Sequence, residues 1–415
     1  MAMPPMDSGS SCAEGLSRRR FLTGAGAAAL AFSVIRPESV RASGASSKID
    51  LGIIGCGGRG TWIADLFQKH GGYNVVAAAD YFPTRVHGLG DKLGIPSAHR
   101  FTGLSGYRRL LDQKLHAVAI ESPPYFHPSQ AADAVAAGKH VYLAKPAAVD
   151  VPGCVKVQDA AANATANRLC FLVDFQTRAN ELFIEALRRV HDGAIGRFAF
   201  GEATYHADDP FLAQAPFARS DDPEDRLRAW GLSRELSGDI ITEQNIHTLD
   251  VASWIMGRPP LSAFGTGGRK FRAVGTCWDT FTVLFQYPEN VGITFTSRQF
   301  NGHGTRPDGI RNRMFGSEGV LEAEYGGQVL IRGKQFYRGG ETSTIYEQGV
   351  VRNIAAFHDS IQQENYSNAT VAESVRSNLV TILGRTAAYT GRIVTWDEVV
   401  RSDERLVADL KGLKD

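Results

Sequence analysis

Short apolar runs alternate with helical patterns over the first part of the chain, from about residue 48 to residue 173. Four runs are almost wholly apolar and four or five residues long: 51–54, 75–79, 117–120 and 140–143. Such runs, which lack polar alternation, are typical of strands buried on both faces. Helical patterns lie between them, for example over residues 61–69 and 129–137. The alternation predicts a doubly wound parallel sheet flanked by helices, an α/β fold.

The pattern changes beyond residue 174. An amphipathic helix is predicted over residues 181–191. The later segments alternate polar with apolar residues or are rich in β-branched and aromatic ones: 198–205, 281–287, 292–297, 320–324 and 328–331. These segments predict an open, mainly antiparallel sheet. We therefore divide the chain into a first domain of residues 48–173 and a second, α+β domain of residues 174–415.

Composition narrows the class of protein. The chain has 415 residues, of which 43% are hydrophobic, enough for two cores. Lys and Arg number 45 against 44 acidic residues, a balance that argues against nucleic acid or an anionic membrane as partner. The five cysteines show no CxxC spacing, so neither a zinc site nor a disulfide framework is predicted: Cys12, Cys56, Cys154, Cys170 and Cys277.

The first 45 residues have the features of a targeting segment. The string Ser-Arg-Arg-Arg-Phe-Leu at residues 17–22 resembles the twin-arginine export motif, and Val-Arg-Ala at residues 40–42 offers small-residue cleavage after Ala42. The apolar run at 24–35 is too short for a stable membrane anchor. The alternative is a disordered basic tail. Export predicts a mature protein in the periplasm or outside the cell.

A glycine-rich turn follows the first predicted strand. Gly55, Gly57 and Gly60 have the GxGxxG spacing, with Gly58 and Arg59 between them, and a helical pattern follows. In this context the glycines permit a tight turn, close approach of a pyrophosphate, and close packing of helix on sheet. Backbone N–H groups and the helix dipole then face the anion. The turn predicts a dinucleotide site.

Asp80 ends the second apolar run, 20 residues beyond Gly60. A carboxylate at this point can accept hydrogen bonds from the ribose hydroxyls and repels a 2′-phosphate. The cofactor predicted is therefore NAD. Because Arg85 is close by, NADP stays open as an alternative.

Two further strings resemble a known family. They are Ser-Pro-Pro-Tyr-Phe-His at residues 122–127 and Ala-Ala-Gly-Lys-His-Val-Tyr-Leu-Ala-Lys-Pro at residues 136–146. Both are similar to strings in the glucose–fructose oxidoreductase, inositol dehydrogenase and MocA family. The resemblance implies an N-terminal Rossmann domain and a second domain whose open sheet forms homodimers or homotetramers. It also implies that the loop with Pro123 and His127 borders the nicotinamide.

The same resemblance implies a catalytic lysine. Lys145 matches the family lysine that reaches both the nicotinamide ribose and a substrate hydroxyl, and Pro146 matches the proline that fixes its loop. This chain has Ala144 where the family usually has Glu. The lysine thus lacks a carboxylate expected nearby, which leaves its orientation and its pKa open. The alternative reading of Lys145 is a solvated loop lysine.

A second candidate constellation is Glu243 with His247. Residues four apart on one helix project from the same face, so the carboxylate is expected to orient the imidazole. The family pattern has Asp four residues before a catalytic His, and this chain has the longer Glu. We predict His247 as general base and Glu243 as the residue that positions it or contacts a substrate hydroxyl. The alternative for His247 is a packed core histidine.

Four residues are predicted to bind substrate: Arg178, Tyr205, His206 and Asn245. Trp230 is grouped with Tyr205 and His206, because aromatic faces beside polar groups suit a sugar ring. His206 and Asp208 lack a third ligand at suitable spacing, so no metal site is predicted. The Asp- and Pro-rich stretch 207–228 predicts a substrate-side insertion or lid.

These features together predict an oxidoreductase that takes hydride from a secondary hydroxyl of a sugar, glycoside or polyol. Export favours a tightly held cofactor that is regenerated in place. Two alternatives stay open: an NAD-dependent glycoside hydrolase that oxidises its substrate transiently, and a non-catalytic nucleotide-dependent sugar-binding protein. Which sugar and which carbon react, and the size of the oligomer, do not follow from the sequence.

Overall fold

The first sheet has six parallel strands in the order β3-β2-β1-β4-β5-β6. In the computed structural model, which describes residues 48–301 and 309–415, these strands are β1 Ile49–Ile54, β2 Tyr73–Asp80, β3 Arg100–Thr102, β4 Ala117–Ile120, β5 His140–Ala144 and β6 Phe171–Asp174. The doubly wound sheet predicted from the apolar runs is therefore confirmed. The predicted targeting segment, residues 1–45, lies outside the described residues.

Five helices cover this sheet: α1 Gly58–His70, α2 Pro83–Leu93, α3 Gly106–Leu111, α4 His127–Ala136 and α5 Val151–Ala166. Helix α1 buries Ile63 and Phe67 against the sheet and ends at Gly71, whose φ of 82° is the left-handed conformation that glycine favours at a helix end. The central strands are buried along their whole length, for example β4. This explains why their sequence shows no polar alternation.

The second sheet has nine strands in the order β14-β13-β12-β11-β7-β10-β9-β8-β15. They are β7 Phe198–Ala207, β8 Ser262–Gly268, β9 Thr280–Gln286, β10 Gly292–Gln299, β11 Gly309–Gly316, β12 Gly319–Tyr325, β13 Gln328–Gly333, β14 Tyr337–Glu341 and β15 Val394–Thr395. Strands β7 and β10 run parallel, and the other neighbouring pairs are antiparallel. The prediction of a mainly antiparallel sheet is confirmed.

The remaining helices are α6 Glu181–His191, α7 Pro223–Arg228, α8 Arg234–Ser237, α9 Ile240–Glu243, α10 Ile246–Met256, α11 Ile345–Gln362, α12 Thr370–Thr390 and α13 Trp396–Val400. Helices α6, α10 and α12 pack on one face of the nine-stranded sheet. The other face is open and carries three half-exposed apolar side chains, Phe200, Phe264 and Leu284. Within the described ranges, no helix is both long and apolar enough to cross a bilayer.

The segment between β7 and α9 contains α7, which packs beside the end of β2. Leu227 of α7 lies in an apolar cluster with Phe82, just beyond β2, and with Ala408 of the C-terminal tail. Tyr81 Oη donates a hydrogen bond to Glu224 at 3.3 Å. Helix α7 thus covers the end of β2 beside Asp80, and the predicted role of residues 207–228 as a substrate-side insertion or lid stays a prediction.

Candidate active site

The glycine turn after β1 leaves room for an anion above it. Gly55 has a φ of +95°, and a Cβ there would lie 2.5 Å from the Ser122 backbone nitrogen. A Cβ on Gly60 would lie 1.8 Å from the Gly55 carbonyl oxygen. On the outer side, a Cβ on Gly57 would meet only Arg85, at 3.7 Å, and one on Gly58 would meet nothing within 4 Å. Gly57 caps α1 without a side-chain hydrogen bond. This cradle fits the pyrophosphate of a dinucleotide.

Asp80 is held at the carboxyl end of β2, beside the glycine turn. Its Oδ2 accepts a hydrogen bond from the Cys56 backbone N–H at 2.8 Å, and its Oδ1 accepts one from that of Phe82 at 2.9 Å. Burial raises the pKa of Asp80, although these backbone donors oppose the shift. The Arg85 guanidinium lies over the Phe82 ring, 4.8 Å from its centroid. The predicted ribose contact fits this geometry, and the nearby guanidinium keeps NADP open.

His127 ties two loops together. Its Nδ1 lies 2.8 Å from the Pro146 carbonyl oxygen and its Nε2 lies 2.7 Å from that of Ser122. Burial lowers the pKa of His127 to about 4, even though both carbonyl acceptors favour the proton. Both ring nitrogens are occupied, so the structure gives His127 the role of holding the Pro123 loop against the Lys145–Pro146 loop. Its predicted contact with the cofactor does not fit this geometry.

Lys145 directly follows β5, and its ammonium meets Glu243, at the end of α9, in the region between the two domains that we call the cleft. Its Nζ donates hydrogen bonds to the carbonyl oxygen of Glu243 at 2.6 Å and to Oε1 of that residue at 3.2 Å. Both side chains are more than nine-tenths buried. Burial lowers the pKa of Lys145, and the Glu243 carboxylate opposes that shift. The carboxylate that Ala144 lacks is thus supplied by Glu243 from the second domain.

Glu243 and His247 do not share a helix. Helix α9 ends at Glu243 and α10 begins at Ile246, with Gln244 and Asn245 at the break. The second Glu243 oxygen accepts a hydrogen bond from Gln244 Nε2 at 2.6 Å. No hydrogen bond joins Glu243 to His247 in this part of the described chain. The prediction that Glu243 positions the imidazole directly is wrong, because its carboxylate bonds Lys145 and Gln244 and makes no hydrogen bond to the imidazole.

His247 is buried, four residues beyond the Glu243 that bonds Lys145. Its ring centroid is 5.2 Å from that of Tyr325. Burial and then the positive charges of Lys145 and Arg59 lower the pKa of His247 well below its usual range. Its Nδ1 is buried and has no hydrogen-bond partner among the residues described. The imidazole is therefore neutral at neutral pH and has a ring nitrogen uncommitted to the protein.

Tyr205 and His206 point in opposite directions because successive side chains of a strand alternate between faces. Tyr205 is buried, and its hydroxyl donates a hydrogen bond to Gln244 Oε1 at 2.6 Å. His206 lies on the other face, with Nε2 3.1 Å from Thr296 Oγ1. Tyr205 therefore joins the Glu243 network, whereas the predicted role of His206 in substrate binding is wrong. Trp230 packs against Phe211 instead, with ring centroids 5.3 Å apart.

Arg178 is committed to an ion pair. Its Nε lies 2.9 and 3.0 Å from the two Asp250 oxygens, and its Nη2 lies 2.8 Å from Oδ1 of the same residue. Its guanidinium also lies over the Trp254 ring, 5.2 Å from the centroid. Asp250 has no exposed side-chain surface. The prediction that Arg178 binds substrate is wrong, because the guanidinium anchors α10.

Asn245 remains a candidate substrate-binding residue. It lies at the break between α9 and α10, two residues before His247, and is fully buried. Neither polar atom of its side chain has a hydrogen-bond partner within the described ranges. Burying an amide without hydrogen bonds costs free energy, and a ligand hydroxyl would supply the missing bonds.

Arg59, predicted as part of the nucleotide turn, is paired with two carboxylates, Glu121 and Asp174, that the sequence did not single out. Arg59 Nε is 2.9 Å from Glu121 Oε2, and Arg59 Nη2 is bonded to Asp174. Neither carboxylate has exposed side-chain surface. The signal was present: Glu121 directly follows β4 and Asp174 ends β6, and charged residues at the carboxyl ends of buried strands point into the ligand crevice of this kind of sheet. No group of three or more His, Cys, Asp or Glu suited to a metal occurs among the residues described.

Two family models match the chain. Residues 49–170 match an oxidoreductase family model with the NAD-binding Rossmann fold, and residues 183–322 match the GFO/IDH/MocA C-terminal domain.

Curated relatives share part of this length. An inositol 2-dehydrogenase of Burkholderia ambifaria is 28% identical over 217 residues, 52% of this chain and 56% of that enzyme. The chain thus spans little more than half the length of this relative. An α-N-acetylgalactosaminidase of Shewanella oneidensis is 28% identical over 163 residues, 38% of this chain and 35% of that enzyme.

Solved structures share the fold. The scyllo-inositol dehydrogenase of Lactobacillus casei, solved with NAD(H) and scyllo-inositol, superposes with a TM-score of 0.66 at 20% identity. The match covers 85% of this chain and 100% of that one.

Proposed function

Because the chain belongs to the Gfo/Idh/MocA family of NAD-binding oxidoreductases, we propose that it transfers hydride between NAD and a secondary hydroxyl of a polyol, sugar or glycoside. One observation carries this proposal. Lys145, at the carboxyl end of β5, is hydrogen-bonded to both the carbonyl oxygen and the carboxylate of Glu243, four residues before His247. This contact joins the carboxyl end of the parallel sheet to the helical region that holds His247.

When bound, NAD supplies the acceptor for a hydride and its electron pair. The turn at residues 55–60 would hold the pyrophosphate, and Asp80 would bind the adenosine ribose. The loop at Lys145 would lie at the nicotinamide end. The open space above Gly57 and Gly58 and the uncapped start of α1 support this arrangement.

Oxidation of an alcohol breaks a C–H bond and an O–H bond. The hydride leaves from carbon, so the hydroxyl proton needs a base and the oxygen needs a positive neighbour. His247 is neutral and has an uncommitted ring nitrogen, so it accepts the proton. Lys145 donates a hydrogen bond to the oxygen and stabilises its developing negative charge. Glu243 keeps the lysine charged and oriented.

The polar groups around Glu243 support the proposed substrate class. Hydrogen-bonding side chains form a row from Tyr205 through Gln244 to Glu243, and the amide of Asn245 and the hydroxyl of Tyr325 have no partner in the described residues. Several closely spaced donors and acceptors suit a molecule with several hydroxyls. Two of the proteins named above are inositol dehydrogenases, so a cyclic polyol is the first substrate to test.

Location and cofactor retention belong to the same proposal. The string at residues 17–22 supports twin-arginine export to the periplasm. Since free NAD is not expected there, the cofactor would stay bound, and a second carbonyl compound would take the hydride back. Helix α7 and the C-terminal tail cover the end of β2 near Asp80, which is consistent with slow release.

A homo-oligomer through the second sheet is the third part of the proposal. The open face of that sheet carries Phe200 stacked on Phe315, with ring centroids 4.4 Å apart. Phe264 and Leu284 on the same sheet are also half exposed. An apolar surface of this kind on a sheet favours association with a second copy.

The match to an α-N-acetylgalactosaminidase supports a second candidate function. Such a reaction would oxidise a sugar hydroxyl, expel the anomeric substituent from the resulting ketone, add water and return the hydride. Lys145 and His247 would have the same roles in its oxidation step. Net products would then be those of hydrolysis, with no change in the redox state of the cofactor.

The test uses the purified mature chain. Bound nucleotide is identified by mass after denaturation, and the protein is then incubated with inositol isomers and with aryl N-acetylgalactosaminides. We expect 340 nm absorbance to appear with a polyol, and to be lost in Lys145→Met but kept in Lys156→Met, an exposed lysine bonded to Ser129. Release of the aryl group without an absorbance change favours the hydrolase. Bound NAD that no compound reduces refutes both and favours a binding protein.

A further inference from the structure

Arg59 bridges two buried carboxylates at the start of α1. Its Nε lies 2.9 Å from Glu121, and its Nη2 is bonded to Asp174. Two residues of α11 complete the cluster. Asn353 Nδ2 donates to Asp174 Oδ1 at 2.7 Å, and the Tyr346 hydroxyl accepts from Arg59 Nη1 at 3.2 Å. The cluster is thus fixed by contacts from both domains.

The cluster lies at the point where the strand order of the parallel sheet reverses. In the order β3-β2-β1-β4-β5-β6, the chain leaves β1 toward one edge and continues from β4 toward the other. Ligands bind in the crevice outside the carboxyl ends of the strands at this point. Arg59 belongs to the turn after β1, and Glu121 directly follows β4. A Cβ on Gly60 would lie 3.4 Å from that of Glu121, so Glu121 lies next to the phosphate turn.

The charges in this crevice do not cancel. Two carboxylates face one guanidinium in the cluster, whereas Lys145 and Glu243 neutralise each other next to it. His247 is neutral because its pKa is lowered. With Glu121 ionised, these side chains carry one net negative charge. The nicotinamide ring is positive when oxidised and neutral when reduced. A net negative charge in the crevice therefore favours binding of the oxidised cofactor.

We propose that Glu121 and Asp174 set the redox preference of the bound cofactor, making the cleft bind NAD more tightly than NADH. The proposal rests on the function proposed above. Preference for the oxidised form makes the reduced cofactor a stronger hydride donor. That suits an enzyme whose cofactor has to pass its hydride on without leaving.

The titration of Glu121 gives this preference a pH dependence. Burial raises the pKa of Glu121 to about 7; Asp174 adds to the shift, whereas Arg59 and Lys145 oppose it. Three elements besides those of Glu121 and Asp174 present polar or charged groups to the cluster: the α1 turn, the segment of β5 and the residue after it, and α11. These groups are Arg59, Tyr142, Lys145, Tyr346 and Asn353. The carboxylate is ionised above the pKa and neutral below it. Preference for NAD therefore increases as the pH rises through about 7.

The experiment compares dissociation constants for NAD and NADH in the full mature chain, at about one pH unit below and one above the pKa of about 7. Glu121→Gln keeps the shape and removes the charge. We expect its ratio of NADH to NAD dissociation constants to fall by about tenfold at the higher pH, with little change at the lower pH. Where the cofactor does not dissociate, the same change is a shift of about 30 mV in its reduction potential.

Glu322→Gln is the matched control, because Glu322 also lies 2.9 Å from an arginine, Arg332, but on the second sheet. Its ratio should equal that of the wild type. If Glu121→Gln fails to fold, Asp174→Asn provides the same loss of charge. Wild-type protein that binds both nucleotides, with a ratio unchanged in the folded variant, overturns this inference alone. Wild-type protein that binds neither overturns the proposed function and the inference together.

Discussion

The carboxylate of Glu243 lies 3.2 Å from the ammonium of Lys145, a residue 98 positions earlier in the chain. The lysine also donates to the Glu243 carbonyl oxygen at 2.6 Å. One residue of the second domain thus fixes the charged group that the first domain presents. His247 makes no hydrogen bond to Glu243, and its Nδ1 has no partner among the residues described.

His247→Asn should lower turnover by about 10²–10⁴-fold, the usual contribution of a general base. Binding of NAD should not change, because the nucleotide turn is formed by residues 55–60. Steady-state rates and a nucleotide titration measure the two effects separately. The control is His87→Asn, which changes an exposed histidine of α2. Equal loss of NAD affinity and of turnover would indicate a structural histidine.

Glu243→Gln should move the alkaline limb of the pH–rate profile to lower pH. Burial already lowers the pKa of Lys145, and the Glu243 carboxylate opposes that shift. Removing the carboxylate lowers the lysine pKa further, so the ammonium is lost at a lower pH. The profile of kcat/KM measures this shift. An alkaline limb at the wild-type position would mean that Lys145 does not carry the essential charge.

Arg178→Met should destabilise the fold without changing the KM of the folded enzyme. The substitution leaves the fully buried Asp250 without its partner, and breaking a buried ion pair in this way costs about 3–5 kcal/mol. Denaturant unfolding gives the free energy, and kinetics at low temperature give the KM. A raised KM with unchanged stability would restore the substrate-binding role predicted from the sequence.

Tyr205→Phe should lower kcat/KM several-fold, because it removes the hydrogen bond to Gln244 at 2.6 Å and loosens the row that leads to Glu243. One such bond contributes about 1 kcal/mol. His206→Ala, one residue along the same strand, should leave the kinetics unchanged because its side chain lies on the open face. The reverse pattern would place the cleft on the other side of the sheet.

His127 should make stability fall on acidification. Its pKa is about 4 in the folded chain and about 6.5 when unfolded, so between these values the unfolded chain binds more protons. This linkage removes about 3 kcal/mol as the pH falls through that window. The free energy of unfolding against pH should lose that component in His127→Gln. Parallel curves for the two proteins would show that His127 titrates normally.

The sequence predicted what depends on local pattern. Wholly apolar runs identified the parallel strands, and the glycine spacing identified the turn after β1, because both signals lie within a few adjacent residues. The same apolar runs predicted the domain that holds Lys145, and the four-residue spacing of Glu243 and His247 indicated a helical region.

The rest depends on contacts between distant residues. Spacing alone put Glu243 and His247 on one helix, yet the chain breaks at Gln244, whose side chain bonds both Glu243 and Tyr205. The sequence shows Arg178 as a free cation for substrate binding, but Asp250, 72 residues later, pairs with it in the fold. Glu121 and Asp174 follow separate strands and meet only through Arg59.

The most direct test of the central claim is a crystal structure with NAD and an inositol isomer bound. The account predicts one substrate hydroxyl within about 2.6–3.2 Å of both Lys145 Nζ and a ring nitrogen of His247, on the carbon that faces the nicotinamide. A nicotinamide bound elsewhere, or a substrate that contacts neither group, would contradict it.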